Sequence, residues 1–259
     1  MPNRPLALVT GASMGIGEAF ADALATRGYD LALVARSGDA LERIADRLRS
    51  RNGVDVETIA IDLNDAASTE TVVARCEARF GRIDLLVNNA GFGAHGRFDQ
   101  IDVSRQLDMI RLNVETLVAL AHRVLPGMVA RRSGAIINIG STAAFQPCPY
   151  MAVYGATKAF VLSFSEALHE EYRSHGVTVL ALNPGPTATN FFVIAGEDAR
   201  VGATRSVQDV VATGLRALAA KRGYVIDGAA NRVMAFSARI MPRGLMARAS
   251  AAFLRKGTS

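Results

Sequence analysis

The sequence predicts a doubly wound α/β fold, a parallel sheet with helices on both faces, and three observations carry the prediction. Short apolar runs bounded by Gly, Asp and Asn recur at residues 5–10, 30–35, 54–61, 83–87, 135–139, 177–182 and 224–226. Between them lie helical stripes such as Leu41, Ile44, Ala45 and Leu48, spaced i, i+3, i+4, i+7. The runs are apolar nearly throughout, as strands buried on both faces are, and regular alternation with helices makes the sheet parallel. Ligands of such sheets bind at the carboxyl ends of the strands.

Taking the strand ends in order, the first runs into Thr10-Gly11-Ala12-Ser13-Met14-Gly15-Ile16-Gly17 and a helix expected over 18–27. Glycines let a backbone approach a pyrophosphate, which the helix's free N–H groups and positive dipole end can hold. The spacing is not G-x-G-x-x-G, and an ordinary glycine turn stays open on this pattern alone. The second strand ends Ala35-Arg36-Ser37, where an acid would bind the ribose of NAD. Arg36 instead suits the 2′-phosphate of NADP(H), with Ser37 a second donor, while nearby Asp39 keeps NAD as an alternative. The third strand ends at Asp62-Leu63 and the fourth at Asn88-Asn89-Ala90-Gly91, a sequence that would also close a plain turn. After the fifth strand, Ser141 stands thirteen residues before Tyr154, and the Pro147-Cys148-Pro149 segment forces a loop that folds back toward it.

Tyr154-Gly155-Ala156-Thr157-Lys158 places a phenol and an ammonium on one face at the start of a helix. A neighbouring ammonium favours the phenolate and pulls a tyrosine down from about 10 toward working pH, making Tyr154 a candidate proton donor and acceptor. The same spacing also occurs as a simple surface pair.

Composition narrows the field. The 259 residues, 50% hydrophobic, suffice for one substantial core and contain no linker or repeat. The net charge of +5 comes from the end of the chain: residues 228–259 hold no acid but Arg232, Arg239, Arg243, Arg248, Arg255 and Lys256, leaving 23 basic against 24 acidic residues elsewhere. No aromatic-interleaved basic groove accompanies them, so no nucleic-acid partner is expected. Cys76 and Cys148 read as reduced thiols. His95, His122, His169 and His175 lack metal-ligand spacing, so no metal is expected; His95, which follows the NNAG segment, reads as a solvated loop residue, with a reach into the pocket as the alternative. With no secretory signal and no apolar span of about eighteen residues, the expected location is cytoplasmic.

Together, TGASMGIG, NNAG, Asn113, Ser141, YGATK and Asn183-Pro184-Gly185 resemble the short-chain dehydrogenase/reductase family in order and spacing, over roughly residues 5–227. The resemblance implies a Rossmann-type, single-domain fold of about seven strands and an NADP(H)-dependent oxidoreductase acting on a carbonyl or alcohol. The implied cofactor set is Gly11, Ser13, Gly15, Ile16, Gly17, Arg36, Ser37, Asp62, Leu63, Asn89, Ala90, Gly91, Tyr154, Lys158, Pro184, Gly185, Thr187 and Thr189. Within it, Gly11, Gly15 and Gly17 match the family's T-G-x-x-x-G-x-G turn, Asp62 would take the adenine amino group, and Thr189 the carboxamide. Tyr154 would exchange the proton, Ser141 hold the substrate oxygen, Lys158 tune Tyr154 and bind the ribose, and Asn113 position a water for proton return. A non-catalytic NADP-binding regulator and an epimerase or isomerase are the competing readings.

Residues 1–229 read as the dinucleotide-binding catalytic part, with a substrate loop at 186–205 whose Phe191, Phe192, Val193 and Ile194 line a lipophilic pocket or anchor the loop. Residues 230–259 read as a basic amphipathic extension of two short helices broken at Pro242-Arg243-Gly244. It packs on the body or a partner, touches a membrane surface, or rims the site for an anionic substrate such as an acyl thioester. The resemblance also implies a homodimer or homotetramer, with contacts through residues 115–131 and 154–173.

Overall fold

The computed structural model describes residues 4–189, 191, 195–196 and 204–255. Among them are seven parallel strands: β1 (Leu6–Thr10), β2 (Asp30–Ala35), β3 (Val56–Ala60), β4 (Leu85–Asn88), β5 (Gly134–Ile139), β6 (Val177–Asn183) and β7 (Tyr224–Ile226). They form one sheet in the order β3-β2-β1-β4-β5-β6-β7. The helices are α1 (Gly15–Ala25), α2 (Gly38–Asn52), α3 (Ser68–Phe80), α4 (Val103–Ile110), α5 (Thr116–Ala130), α6 (Ala152–Tyr172), α7 (Val207–Ala219), α8 (Ala229–Ile240) and α9 (Arg243–Leu254).

Side chains alternate across a strand, and that alternation sorts the apolar runs into two cores. Ala7, Val9, Leu31 and Leu33 face Phe20, Leu24, Leu41 and Leu48 on one side of the sheet. Leu6, Leu8, Ala32 and Val34 face Val72, Cys76, Leu120 and Val124 on the other. Neither face can be polar, which is why the strands read as unbroken apolar runs. The strand order reverses between β1 and β4, so the crevice outside their carboxyl ends is the switch point at which such sheets bind ligands.

Several boundaries differ from expectation by one to three residues, and three of them have a local cause. The run at 54–61 contracts to Val56–Ala60 because β3 is an edge strand and pairs only along β2, from Leu31↔Val56 to Ala35↔Ala60. Helix α1 starts at Gly15 rather than Glu18, so the last two glycines of the turn already belong to its first turn. The break between α8 and α9 is Met241-Pro242 alone, with Pro242 at the N-cap of α9, a position that needs no N–H of its own.

Candidate active site

The β1 and β4 ends are tied into one ledge. Thr10 Oγ1 accepts from the backbone N–H groups of Asn89 and Ala90, each at 3.0 Å. Asn89 Nδ2 in turn donates to the carbonyls of Thr10 at 3.0 Å and Gly11 at 3.1 Å. The chain must then turn where no side chain fits: Gly11 has φ of 62°, and a Cβ on it would lie 2.8 Å from Asn89 Nδ2. A Cβ on Gly17 would overlap the Gly11 carbonyl oxygen. Helix α1 therefore approaches β1 more closely than any other residue type permits, with no side-chain cap from Met14 on its first-turn N–H groups. Ser13 and Ile16 lie within this turn, and Thr189 packs over Gly15.

Arg36 and Ser37 stand exposed at the end of β2, and Ser37 opens α2 without spending its hydroxyl on a cap. Asp62, half-buried after β3, accepts from the N–H of Asn64 at 2.9 Å through Oδ1. Buried Leu63 offers its carbonyl to Thr116 Oγ1 at 2.9 Å, which pins the start of α5 beside the loop. A glycine cradle that a Cβ would fill, helix N–H groups behind it, a carboxylate beyond β3 and a guanidinium beyond β2 fit a phosphorylated dinucleotide.

Across the switch point, α6 carries Tyr154 and Lys158 into the interior, where both are buried. Ser141 opens a short 3₁₀ turn, Thr142–Phe145, with its Oγ accepting from the Ala143 N–H at 3.1 Å. The N–H of Thr142 bonds the Pro184 carbonyl at 2.9 Å, so the serine turn and the Pro184-Gly185 turn move as one unit. Thr187, also buried, donates to the Gly185 carbonyl at 2.9 Å and so braces that turn.

Electrostatics here differ from the sequence expectation. Burial pushes Tyr154 up to about 12, and the hydrogen bond with the Ser141 side chain is a smaller, opposing effect. Burial also pushes Lys158 down to about 8. Desolvation disfavours the charged form of each group, and it outweighs the expected pull of ammonium on phenol. Lys158 Nζ donates to the Ile139 carbonyl at 2.8 Å and lies 5.8 Å from the Tyr154 ring centroid. Tyr154 is thus held as the neutral acid.

Asn113 sits in a π-turn, Arg111–Glu115, that joins α4 to α5 and widens the helix at this point. Its Oδ1 accepts from the Phe92 N–H at 3.1 Å, and its Nδ2 donates to the Phe92 carbonyl at 3.0 Å and to Thr157 Oγ1 at 3.1 Å. Most of the amide's bonding capacity is therefore committed to the chain after β4, holding Gly91 and Phe92 beside Lys158. Asn88 belongs to the sheet: it bonds Asn138 Oδ1 at 3.0 Å, Asn138 bonds Ser165 Oγ at 2.9 Å, and Ser165 bonds the Val161 carbonyl at 2.6 Å. This buried line fixes α6 against β4 and β5 from within.

Met109, Met151, Ala195 and Leu254 carried no site role in the sequence, whereas Phe191 was expected to line a pocket or anchor its loop. Phe191 lies 5.3 Å from the Tyr154 ring, and a Cβ on Gly93 would lie 2.7 Å from it. Phe192, Val193 and Ile194 lie outside the described residues. Tyr154, Met151, Cys148, Ala94, Met109, Ala195 and Leu254 form one apolar cluster. His95 is not a solvated loop residue: its N–H bonds the Ala195 carbonyl at 2.9 Å and its Nε2 the Leu254 carbonyl at 2.8 Å. The Gly91-Phe92-Gly93-Ala94 run was the available signal, since small residues mark close approach. Leu254 had none, because nothing local says where a chain end will dock.

Among the described residues no three His, Cys, Asp or Glu side chains gather as a metal set, and no helix is long and apolar enough to cross a membrane.

Fold and ledge together define a doubly wound dinucleotide-binding protein with a buried tyrosine and lysine at its switch point. Residues 5–199 match the family model described as short chain dehydrogenase, and the chain belongs to that family. It is 38% identical over 190 residues to the very-long-chain 3-oxoacyl-CoA reductase of Bos taurus, covering 71% of this chain but 59% of the relative. The chain thus spans about three fifths of the length of that curated relative. A short-chain dehydrogenase from Sphingobium yanoikuyae, solved in complex with NADPH, superposes with a TM-score of 0.83 at 38% identity, covering 93% of this chain and 95% of that one. The bulky-bulky ketone specific alcohol dehydrogenase from Comamonas testosteroni gives 0.79 at 34% identity, with 94% of each chain covered.

Proposed function

We propose that the protein is an NADP(H)-dependent oxidoreductase that reduces a lipophilic ketone of the ketoacyl type. The observation that carries this reading is the convergence of buried Tyr154 and Lys158 with half-buried Ser141 beside the Pro184-Gly185 turn. NADPH, when bound, supplies the reducing equivalent. Gly11, Gly15 and Gly17 leave room for its pyrophosphate, Asp62 suits its adenine, and Arg36 with Ser37 its 2′-phosphate. Tyr154, kept neutral by burial, donates its proton to the substrate oxygen as negative charge develops there, and the Ser141 hydroxyl stabilises that oxygen. Lys158, lowered to about 8, changes its charge near working pH and so restores the proton without a large barrier. Phe191 and Met151 shield the centre from water. Similarity to a very-long-chain 3-oxoacyl-CoA reductase and to a bulky-bulky ketone specific alcohol dehydrogenase supports a large ketone, and the apolar wall agrees with it. A regulator that only bound the cofactor would have no need of a buried Tyr154 hydrogen-bonded to Ser141.

Two further readings belong to the same proposal. Exposed Val103, Leu107 and Ile110 on α4 and Phe160 on α6, the last stacked on Phe164, suit a second copy of the chain in a homo-oligomer. Exposed Val233, Phe236, Ile240, Leu245 and Phe253, interspersed with arginines on α8 and α9, suit peripheral contact with an anionic membrane surface from the cytoplasmic side.

Purified full-length protein incubated with NADPH and a graded panel of ketones, from small methyl ketones to 3-oxoacyl thioesters, tests the main reading. Turnover rising with acyl length is expected; cofactor binding without turnover on any member would overturn it.

A further inference from the structure

The carboxy-terminal helix returns to the active site. Leu254, the last residue of α9, is buried in the apolar cluster that contains Tyr154, Met151 and Cys148. Its carbonyl can only accept, so His95 Nε2, at 2.8 Å, bears the hydrogen. The backbone N–H of His95 at the same time bonds the Ala195 carbonyl, in the segment after the Pro184-Gly185 turn. The next residue, Arg255, bonds the Tyr150 hydroxyl through Nε at 3.2 Å. Tyr150 takes φ of 66°, a left-handed conformation costly for a bulky residue, and its carbonyl is held by the Gly96 N–H at 2.9 Å. Such strain persists only where the surroundings impose it, and here they aim Tyr150 at the end of α9. The other end of the extension is fixed as well: Asn231 bonds the Asp227 carbonyl at 2.7 Å and packs on Gly185.

We propose that Leu254 is the outer wall of the substrate pocket and sets the bulk of the ketone arm admitted beside Tyr154, and that His95 is the positioning residue that holds this wall in place. The inference rests on the ketone-reductase reading above. Leu254 is reached from within the same chain, so pocket size is adjusted at the chain end without disturbing the sheet or the cofactor ledge. His95 itself touches neither substrate nor cofactor in this scheme. It acts by tying three segments together at one residue: its backbone N–H holds the Ala195 segment to the chain after β4, and its imidazole holds the end of α9.

The test compares kcat/KM for a small methyl ketone and a ketone with two large arms, using full-length protein and NADPH. Leu254→Ala should raise the large-to-small ratio by about tenfold or more, since one methylene in an apolar pocket is already worth about tenfold, and Leu254→Trp should lower it. The change should fall mainly on KM. His95→Ala should shift the ratio as Leu254→Ala does, and His95→Gln, whose amide nitrogen can occupy the place of Nε2, should restore it. An unchanged ratio in both Leu254 variants would overturn the wall, and failure of His95→Gln to differ from His95→Ala would overturn the positioning role. Limited trypsin digestion mapped by mass spectrometry needs no turnover and separates this inference from the reading beneath it. Cleavage after Arg243 and Arg248 should be several-fold faster in His95→Ala than in wild type or His95→Gln; equal rates in all three would overturn the latch even if the enzyme reduces ketones well.

Discussion

The two walls of the site are built differently. The inner wall, where β1 and β4 end, is fixed by four hydrogen bonds among Thr10, Gly11, Asn89 and Ala90 and by glycines that exclude any side chain. The outer wall, α8 and α9, buries Ala235, Met246, Ser250 and Leu254 and leaves Val233, Phe236, Ile240, Leu245 and Phe253 exposed. The inner wall must meet one invariant shape, a dinucleotide, and so tolerates no change of volume. In the reading proposed above the outer wall meets the variable partner, the substrate or a surface, and it is held by few buried side chains and by hydrogen bonds at its two ends. Changes to the inner wall should therefore damage every reaction equally, and changes to the outer wall should be mild.

The largest effect is expected at Tyr154. Tyr154→Phe keeps the ring and its packing on Phe191 but removes the proton, so turnover with every ketone should fall by about 10²- to 10⁴-fold while NADPH affinity, read by fluorescence titration, stays near wild type. Retained turnover would remove tyrosine from the chemistry.

Lys158 comes next, and its effect is read in stability. Between about 8 and 10.5 the folded protein binds fewer protons at Lys158 than the unfolded chain, so stability rises with pH across that window. The Tyr154 shift has the opposite sign and acts above 10, where the folded protein holds its proton up to about 12 and stability falls. Denaturant unfolding followed from pH 7 to 10 should therefore show roughly 2 to 3 kcal/mol of pH-dependent stabilisation in wild type, and Lys158→Met should lose it. Parallel curves would mean that the ammonium is not desolvated.

A smaller loss is expected at the ledge. Gly17→Ala drives a methyl group into the Gly11 carbonyl, and an overpacking cost of about 1–3 kcal/mol would weaken NADPH roughly tenfold to a hundredfold, measured by calorimetry. The matching change on the outer wall is Gly244→Ala, in the first turn of α9, where a Cβ meets nothing within 4 Å. It should raise stability by about 0.5 kcal/mol in thermal unfolding and leave cofactor binding unchanged. If Gly244→Ala proved as damaging as Gly17→Ala, the contrast between the walls would fail.

Most of the sheet was legible in the residues because its determinants are local. Apolar runs buried on both faces name the inner strands, the edge strands β3 and β7 are only partly covered, and the order of TGASMGIG, NNAG, Ser141 and YGATK places the ligand-binding edge. Even the separation of the two cores follows from alternation along a strand. The electrostatics were not legible in the same way. Spacing put Lys158 beside Tyr154, but how far each is desolvated depends on α6 lying over β5 and β6, a property of packing rather than of spacing. The same holds for Asn113, whose residue type was readable but whose π-turn and bonds to Phe92 depend on where the chain after β4 returns.

What the sequence by itself determined is the fold and the cofactor edge, since each is written in short stretches whose glycines, apolar period and side-chain chemistry act over one or two turns. What only the tertiary structure decided is the substrate wall: Leu254 meets His95 across 159 residues of chain. Contacts of that kind come from the global packing of a strained Tyr150, a committed imidazole and a helix end, and no local pattern encodes them.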